Sequence, residues 1–180
     1  MIEPADPGSR PLPDPGFAGD DGSAPAALTT ALAAWRAGTA SYAEALAALQ
    51  ASRLLVPVVA VLGEVEVDER GLAHDKTSDM ATVLLQGADG RLALLAFTGS
   101  EALRAWDPDG RPVPVSTELA ARSALQDGAA AVVVDVAGPV RFVVEGEDLR
   151  RLAEGWSLAR MGDRTVWIRP TGESSDTIQR

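Results

Sequence analysis

The sequence predicts a single α+β domain in which a mixed sheet of five or six strands is covered by several short helices. Three observations carry this. Leu92–Phe97 is apolar on both of its alternating faces, the pattern of an inner strand covered on two sides. Asp89-Gly90 is a hairpin turn signal joining that strand to the β-rich residues that begin at Ala81. Helical stretches interleave with the strands, and two of them open on an S/T-x-x-E capping box, at Ser41–Glu44 and Thr98–Glu101. The length of 180 residues suits one domain with irregular ends. A chain of that size buries roughly 70% of its unfolded surface and needs no metal or disulfide to hold it.

Met1–Pro25 is rich in Pro, Gly, Asp and Ser and sets five acids, Glu3, Asp6, Asp14, Asp20 and Asp21, against Arg10 alone. Such a composition buries too little to offset its ordering entropy, which predicts a disordered acidic leader over residues 1–25. The domain proper is expected over 26–155. Leu28, Leu32 and Trp35 form a helical stripe closed by Gly38, and Leu46 and Leu49 form the next, after the Ser41 box. Leu54–Leu62 is a strand in which Pro57 removes one ladder donor, pointing to an edge, a bulge or a strand start. Glu64–Asp75 is an acidic loop. A strand from Ala81, the Asp89-Gly90 turn and the strand Leu92–Phe97 follow, and then the Thr98–Trp106 helix, stopped by Asp107-Pro108. The path from Leu92 through that helix to Arg111 is long enough for a crossover to a parallel strand.

Arg111–Val115, with two prolines, is a short edge or bulged strand. Ser116 caps a helix over Thr117–Asp127 that Gly128 ends. Ala131–Val136 and Val140–Val144 form a hairpin around Ala137-Gly138-Pro139, and Glu147–Glu154 is a last helix, acidic at its start and basic after. Residues 156–180 are an extension: Ser157–Ala159 pairs with Thr165–Ile168 across Met161-Gly162-Asp163, burying Trp167, and Thr171–Arg180 is a loose end.

Chemistry is sparse. The chain has no cysteine, which excludes disulfides, thiolate nucleophiles and cysteine-held metal. A net charge of −10 disfavours nucleic acid and anionic membrane as partners. No apolar run approaches the ~18 residues of a membrane span, and the start MIEPADPGSR carries no secretory pattern, so a cytoplasmic location is expected. P-loop, dinucleotide, zincin and nucleophile-elbow motifs are absent. Asp107, Asp109 and Gly110 start like a calcium loop but lack its twelve-residue spacing and closing Glu. The one histidine, His74, lies beside Asp75 and Lys76 in the acidic loop, where it is expected to be solvated and dispensable. With 26 acids present, no pair can be singled out as acid and base. No catalytic residue, cofactor or metal ligand is assigned.

One candidate site is left, the strand-to-helix turn Thr98, Gly99 and Ser100. A helix start leaves N–H groups without intrahelical partners. Either Thr98 and Glu101 satisfy them as a capping box, or the amides and the Ser100 hydroxyl hold an anion or a partner's carboxylate. Glu101 opposes the second, because its charge competes at the same end.

The blocks LLVPVVAVLGEVEV, DKTSDMATVLL, LLAFTGSEALRAWDP, RPVPVS and VVVDVAGPVRFVVEGEDLRRLAEG, in that order, resemble the SseB-like family in its actinobacterial form, a family named for a serine-sensitivity phenotype. The resemblance covers roughly Ala26–Gly155. Val56-Pro57 matches the family's strand-plus-proline block, Phe97-Thr98-Gly99-Ser100 its strand-to-helix block and Val134–Pro139 its late turn. That turn departs from an Asn-Pro-Gly type, reading Asp135-Val136-Ala137-Gly138-Pro139. The resemblance implies a small α+β domain and brings no established catalytic residue. The resulting expectation is a non-catalytic cytoplasmic binding or regulatory protein acting through a protein partner. The alternative is a small-anion-binding protein or uncharacterised enzyme with its site at Thr98–Ser100, and a self-associating structural role is third.

Overall fold

Strand β1 (Arg53–Leu62) is where two sheets meet. The computed structural model describes residues 17–62, 65–67, 73–75, 78–162 and 164–170. The first sixteen residues of the expected leader and the expected loose end at 171–180 lie outside these.

Helices α1 (Ala26–Arg36) and α2 (Tyr42–Gln50) precede β1. The Ser41 box forms as its spacing predicts, with Glu44 N–H on Ser41 Oγ at 3.2 Å and the Glu44 carboxylate on Ser41 N–H at 2.8 Å. Within Glu64–Asp75, read as a loop, short strands β2 (Val65–Val67) and β3 (Ala73–Asp75) pair antiparallel, with His74 opposite Glu66.

The α+β class holds, but the single five- or six-stranded sheet is divided. A three-stranded antiparallel sheet has the order β4 (Ser78–Thr82), β1, β7 (Arg111–Ser116). A mixed four-stranded sheet has the order β5 (Leu84–Gln86), β6 (Leu92–Ala96), β8 (Ala131–Val134), β9 (Phe142–Glu145). Val83 explains the split. Its N–H donates to Pro57 O at 3.3 Å and its carbonyl accepts from Leu95 N–H at 3.2 Å, so the expected strand from Ala81 changes sheets at this residue. Leu55 and Phe97 then exchange two backbone bonds at 2.8 Å and stitch the sheets together.

The expected crossover from Leu92 to Arg111 does not form either. β7 runs antiparallel to β1, and the parallel partner of β6 is β8, reached through α3 (Ser100–Trp106), β7 and α4 (Thr117–Gln126). Pro57 sits within an inner strand after all. It stands at the changeover between partners, because β7 pairs with Arg53–Val58 and β4 with Val58–Leu62. Pro57 faces Pro112, so neither is asked for a donor by the other.

Both faces of β6 are buried, as its apolar alternation predicts. Leu94 and Ala96 face the main core, with α1, α2, α4 and α5 (Gly146–Ala153), while Leu95 and Phe97 face a smaller one with Leu103 and Trp106 of α3. Phe142 is fully buried, stacked on Tyr42 and edge-on to Trp35. An aromatic buried this way contributes about 2–3 kcal/mol. The predicted C-terminal hairpin is present as β10 (Ser157–Met161) and β11 (Arg164–Ile168), with the Trp167 indole N–H donating to Asp148 at 3.0 Å. No helix among the described residues is long and apolar enough to cross a membrane.

Candidate functional site

Because β6 and β8 run parallel with Ala96 beside Val134, the residues just past their ends are brought together. These are Phe97-Thr98 on one strand and Asp135 on the other. Asp135 N–H donates to Ala96 O at 3.0 Å, prolonging the ladder by one bond. Asp135 then turns the chain with φ of +52°, a left-handed conformation that Asp tolerates better than most side chains. Gly138 closes the turn by donating to Asp135 O at 2.9 Å, and a Cβ there would lie 2.8 Å from Asp135 Cβ. The turn thus requires glycine by proximity.

The turn aims the Asp135 carboxylate back at Thr98. One oxygen accepts from Thr98 N–H at 2.9 Å and the other from Thr98 Oγ1 at 2.8 Å. Both residues are 5% exposed, so the pair is a buried polar clasp. Burial pushes the Asp135 carboxyl up from its ordinary value of 3.8, against the opposing pull of the two Thr98 bonds.

This corrects the reading of Thr98 as a helix cap. The N-cap of α3 is Gly99, with no side-chain cap bond, and the Thr98 hydroxyl donates to Asp135. A carboxylate held 37 residues away in sequence takes the Thr98 N–H in place of the local Glu101 carboxylate, and takes the hydroxyl proton as well.

A second correction concerns the leader. Residues 17–25, expected to be disordered, include a segment laid across the turn from the other side. Ser100 N–H donates to Gly22 O at 2.7 Å, and a Cβ on Gly99 would lie 2.7 Å from Ala24 N. Gly22, with φ of +77°, passes so close that a Cβ would sit 2.3 Å from Ser100 Oγ. Arg53 is the fastener. Its guanidinium pairs with the Asp20 carboxylate through Nε and, at 3.0 Å, through a terminal nitrogen, donates to Ser23 O at 2.6 Å, and also donates to Thr98 O. The Arg53 side chain is 8% exposed and that of Asp20 14%. The bonds from Arg53 hold the Asp20 carboxyl below its usual range. Composition alone missed this, because the partner cation lies 33 residues on.

Thr98, Gly99 and Ser100 therefore do come together, on the wall of a cavity of about 540 Å³. The segment at Asp21–Ala24 forms one side, Glu101 and Arg104 of α3 another, and Asp135 and Pro139 a third. Two of the amides at this turn are engaged: Thr98 N–H by Asp135 and Ser100 N–H by Gly22. Three acids, Asp21, Glu101 and Asp135, line the cavity against Arg104. Among the described residues, no group of three or more His, Asp or Glu could hold a metal ion. Asp135 and Arg53 had faint sequence signals, each being a lone charged residue abutting a β-rich apolar run.

The SseB protein N-terminal domain model matches residues 28–151 of the chain. No curated protein and no solved structure matches it.

Proposed function

The chain belongs to the SseB N-terminal domain family, and from that premise we propose that it is a non-catalytic binding or regulatory protein that acts in the cytoplasm through a protein partner, received at the Thr98–Ser100 turn. One observation carries the reading: this turn already holds a length of polypeptide. Asp20–Ala24 lies across it through two main-chain carbonyls, Gly22 O on Ser100 N–H and Ser23 O on Arg53, and one carboxylate. A surface that engages carbonyls and an acid in this way has the chemistry for another chain. The small-anion reading is weaker, since two of its amides are engaged and three acids line the cavity.

Affinity purification of the tagged protein from its native cell tests this, comparing wild type with Ala137→Trp. Ala137 is exposed on the cavity wall, so a tryptophan there obstructs the cavity without entering the core. The expected result is one stoichiometric protein with the wild type and its loss with Ala137→Trp at unchanged Tm. A retained small anion in place of a protein, or a partner held equally by both, would overturn the reading.

A further inference from the structure

We propose that Asp20–Ser23 is a displaceable strap occupying, within its own chain, the docking groove for an acidic segment of the partner, with Arg53 as the residue that reads the acid. This rests on the proposed function above and gives the partner's chemistry. The groove is defined by what fills it. Arg53 takes a carboxylate in a two-point grip and a main-chain carbonyl beside it, and Ser100 N–H takes a second carbonyl. An Arg fork engaging a carboxylate this way selects charge and geometry together.

The strap is weakly anchored otherwise. Residues 18–21, 23 and 24 are exposed, with only Phe17, Gly22 and Pro25 partly buried, so little apolar area opposes its release. Once released, it uncovers the Arg53 guanidinium, 8% exposed with the strap in place, and leaves it short of both its carboxylate and the Ser23 carbonyl. Such a freed guanidinium fork offers an incoming carboxylate the same two-point geometry. Asp21 departs with the strap, removing one of the three acids from the cavity wall and making the approach of an acidic segment easier. Charge complementarity therefore favours an acidic occupant over a basic one.

The strap competes at the effective concentration of a short tether, on the order of millimolar, so a short free peptide binds the wild type weakly until the strap is weakened. Full-length Asp20→Ala keeps the cation and removes the carboxylate that fills it. Two peptides are titrated against it and the wild type: residues 18–25, and the same peptide with both aspartates replaced by asparagine. The acidic peptide should bind Asp20→Ala at least tenfold more tightly than it binds wild type, and at least tenfold more tightly than the asparagine peptide does. Arg53→Ala added to Asp20→Ala should abolish binding. The asparagine peptide removes the charge without touching the fold, so the test stands whatever Arg53→Ala does to stability. Equal binding of both peptides to Asp20→Ala, or none, overturns the proposal. A partner that co-purifies with wild type while the acidic peptide fails sinks the strap and leaves the proposed function standing. Peptide binding with no co-purifying protein does the reverse.

Discussion

Two aspartates grip the Thr98–Ser100 turn from opposite sides. Asp135 comes from below, buried, with no ion pair among the described residues, and spends both oxygens on one threonine. Asp20 comes from above on an exposed segment and is matched by an arginine. Burial raises the carboxyl of the first, whereas the Arg53 bonds lower that of the second. The same side chain therefore serves as a permanent part of the frame in one place and as a fastening in the other. What differs is whether its charge is answered by neutral donors in the interior or by a cation near the surface.

Removing the inner aspartate should have the largest effect. Asp135→Ala strands a buried Thr98 amide and places Ala at φ of +52°, for an expected loss of about 2–3 kcal/mol by denaturant unfolding. Asp135→Asn keeps an acceptor for the amide and tolerates the turn, so it should cost under about 1 kcal/mol. If the two variants lost the same amount, the clasp would depend on charge and not on acceptor geometry.

Thr98→Ala comes next, at about 1–2 kcal/mol, for one buried hydrogen bond and the packing of its methyl. Ser100→Ala should stay within about 0.5 kcal/mol, since only its main-chain amide engages the strap. A Ser100→Ala loss as large as that of Thr98→Ala would return the hydroxyl to the site.

Acid should separate the two sides without mutation. The folded-state pKa of Asp20 is depressed, so its contribution is fully present above the unfolded value of 3.8 and is lost as pH falls through the lower folded value. That of Asp135 is raised, so its contribution is fully present below 3.8 and is lost as pH rises through the higher folded value. Amide exchange read residue by residue should show the Ser100 amide losing protection below pH 3.8 while the Thr98 amide keeps its own. Simultaneous loss of both would mean that strap and clasp open as one unit.

The reach of sequence reasoning is visible in its two capping boxes. Ser41–Glu44 and Thr98–Glu101 have the same local form, and only the first is a cap. Nothing within four residues of Thr98 distinguishes them. The deciding partner is Asp135, made a neighbour by the parallel pairing of β6 and β8, and that pairing depends on the whole crossover. Helix stripes, the Ser116 cap and the three hairpin turns were legible because their causes are local. The division of the sheet was not, because it turns on one residue, Val83, bonding to different strands through its N–H and its carbonyl. Thr98, Gly99 and Ser100 were legible as a strand-to-helix turn, and Arg53 and Asp20 were missed because a composition count cannot see a pair closed over 33 residues.

The prolines of β7 have a consequence for the concentrated protein. β7 is an outer strand, and Pro112 faces Pro57 while Pro114 faces Leu55, whose own N–H and carbonyl are both engaged by Phe97. The backbone positions of Pro112 and Pro114 therefore point away from β1, along the open margin where a stray strand would have to add. Two successive outward positions there have no hydrogen to offer. A second molecule meeting this margin finds no donor at either proline, and an intermolecular sheet cannot zip across them. The alternation RPVPV thus keeps the inward ladder intact while blocking aggregation through its outer side.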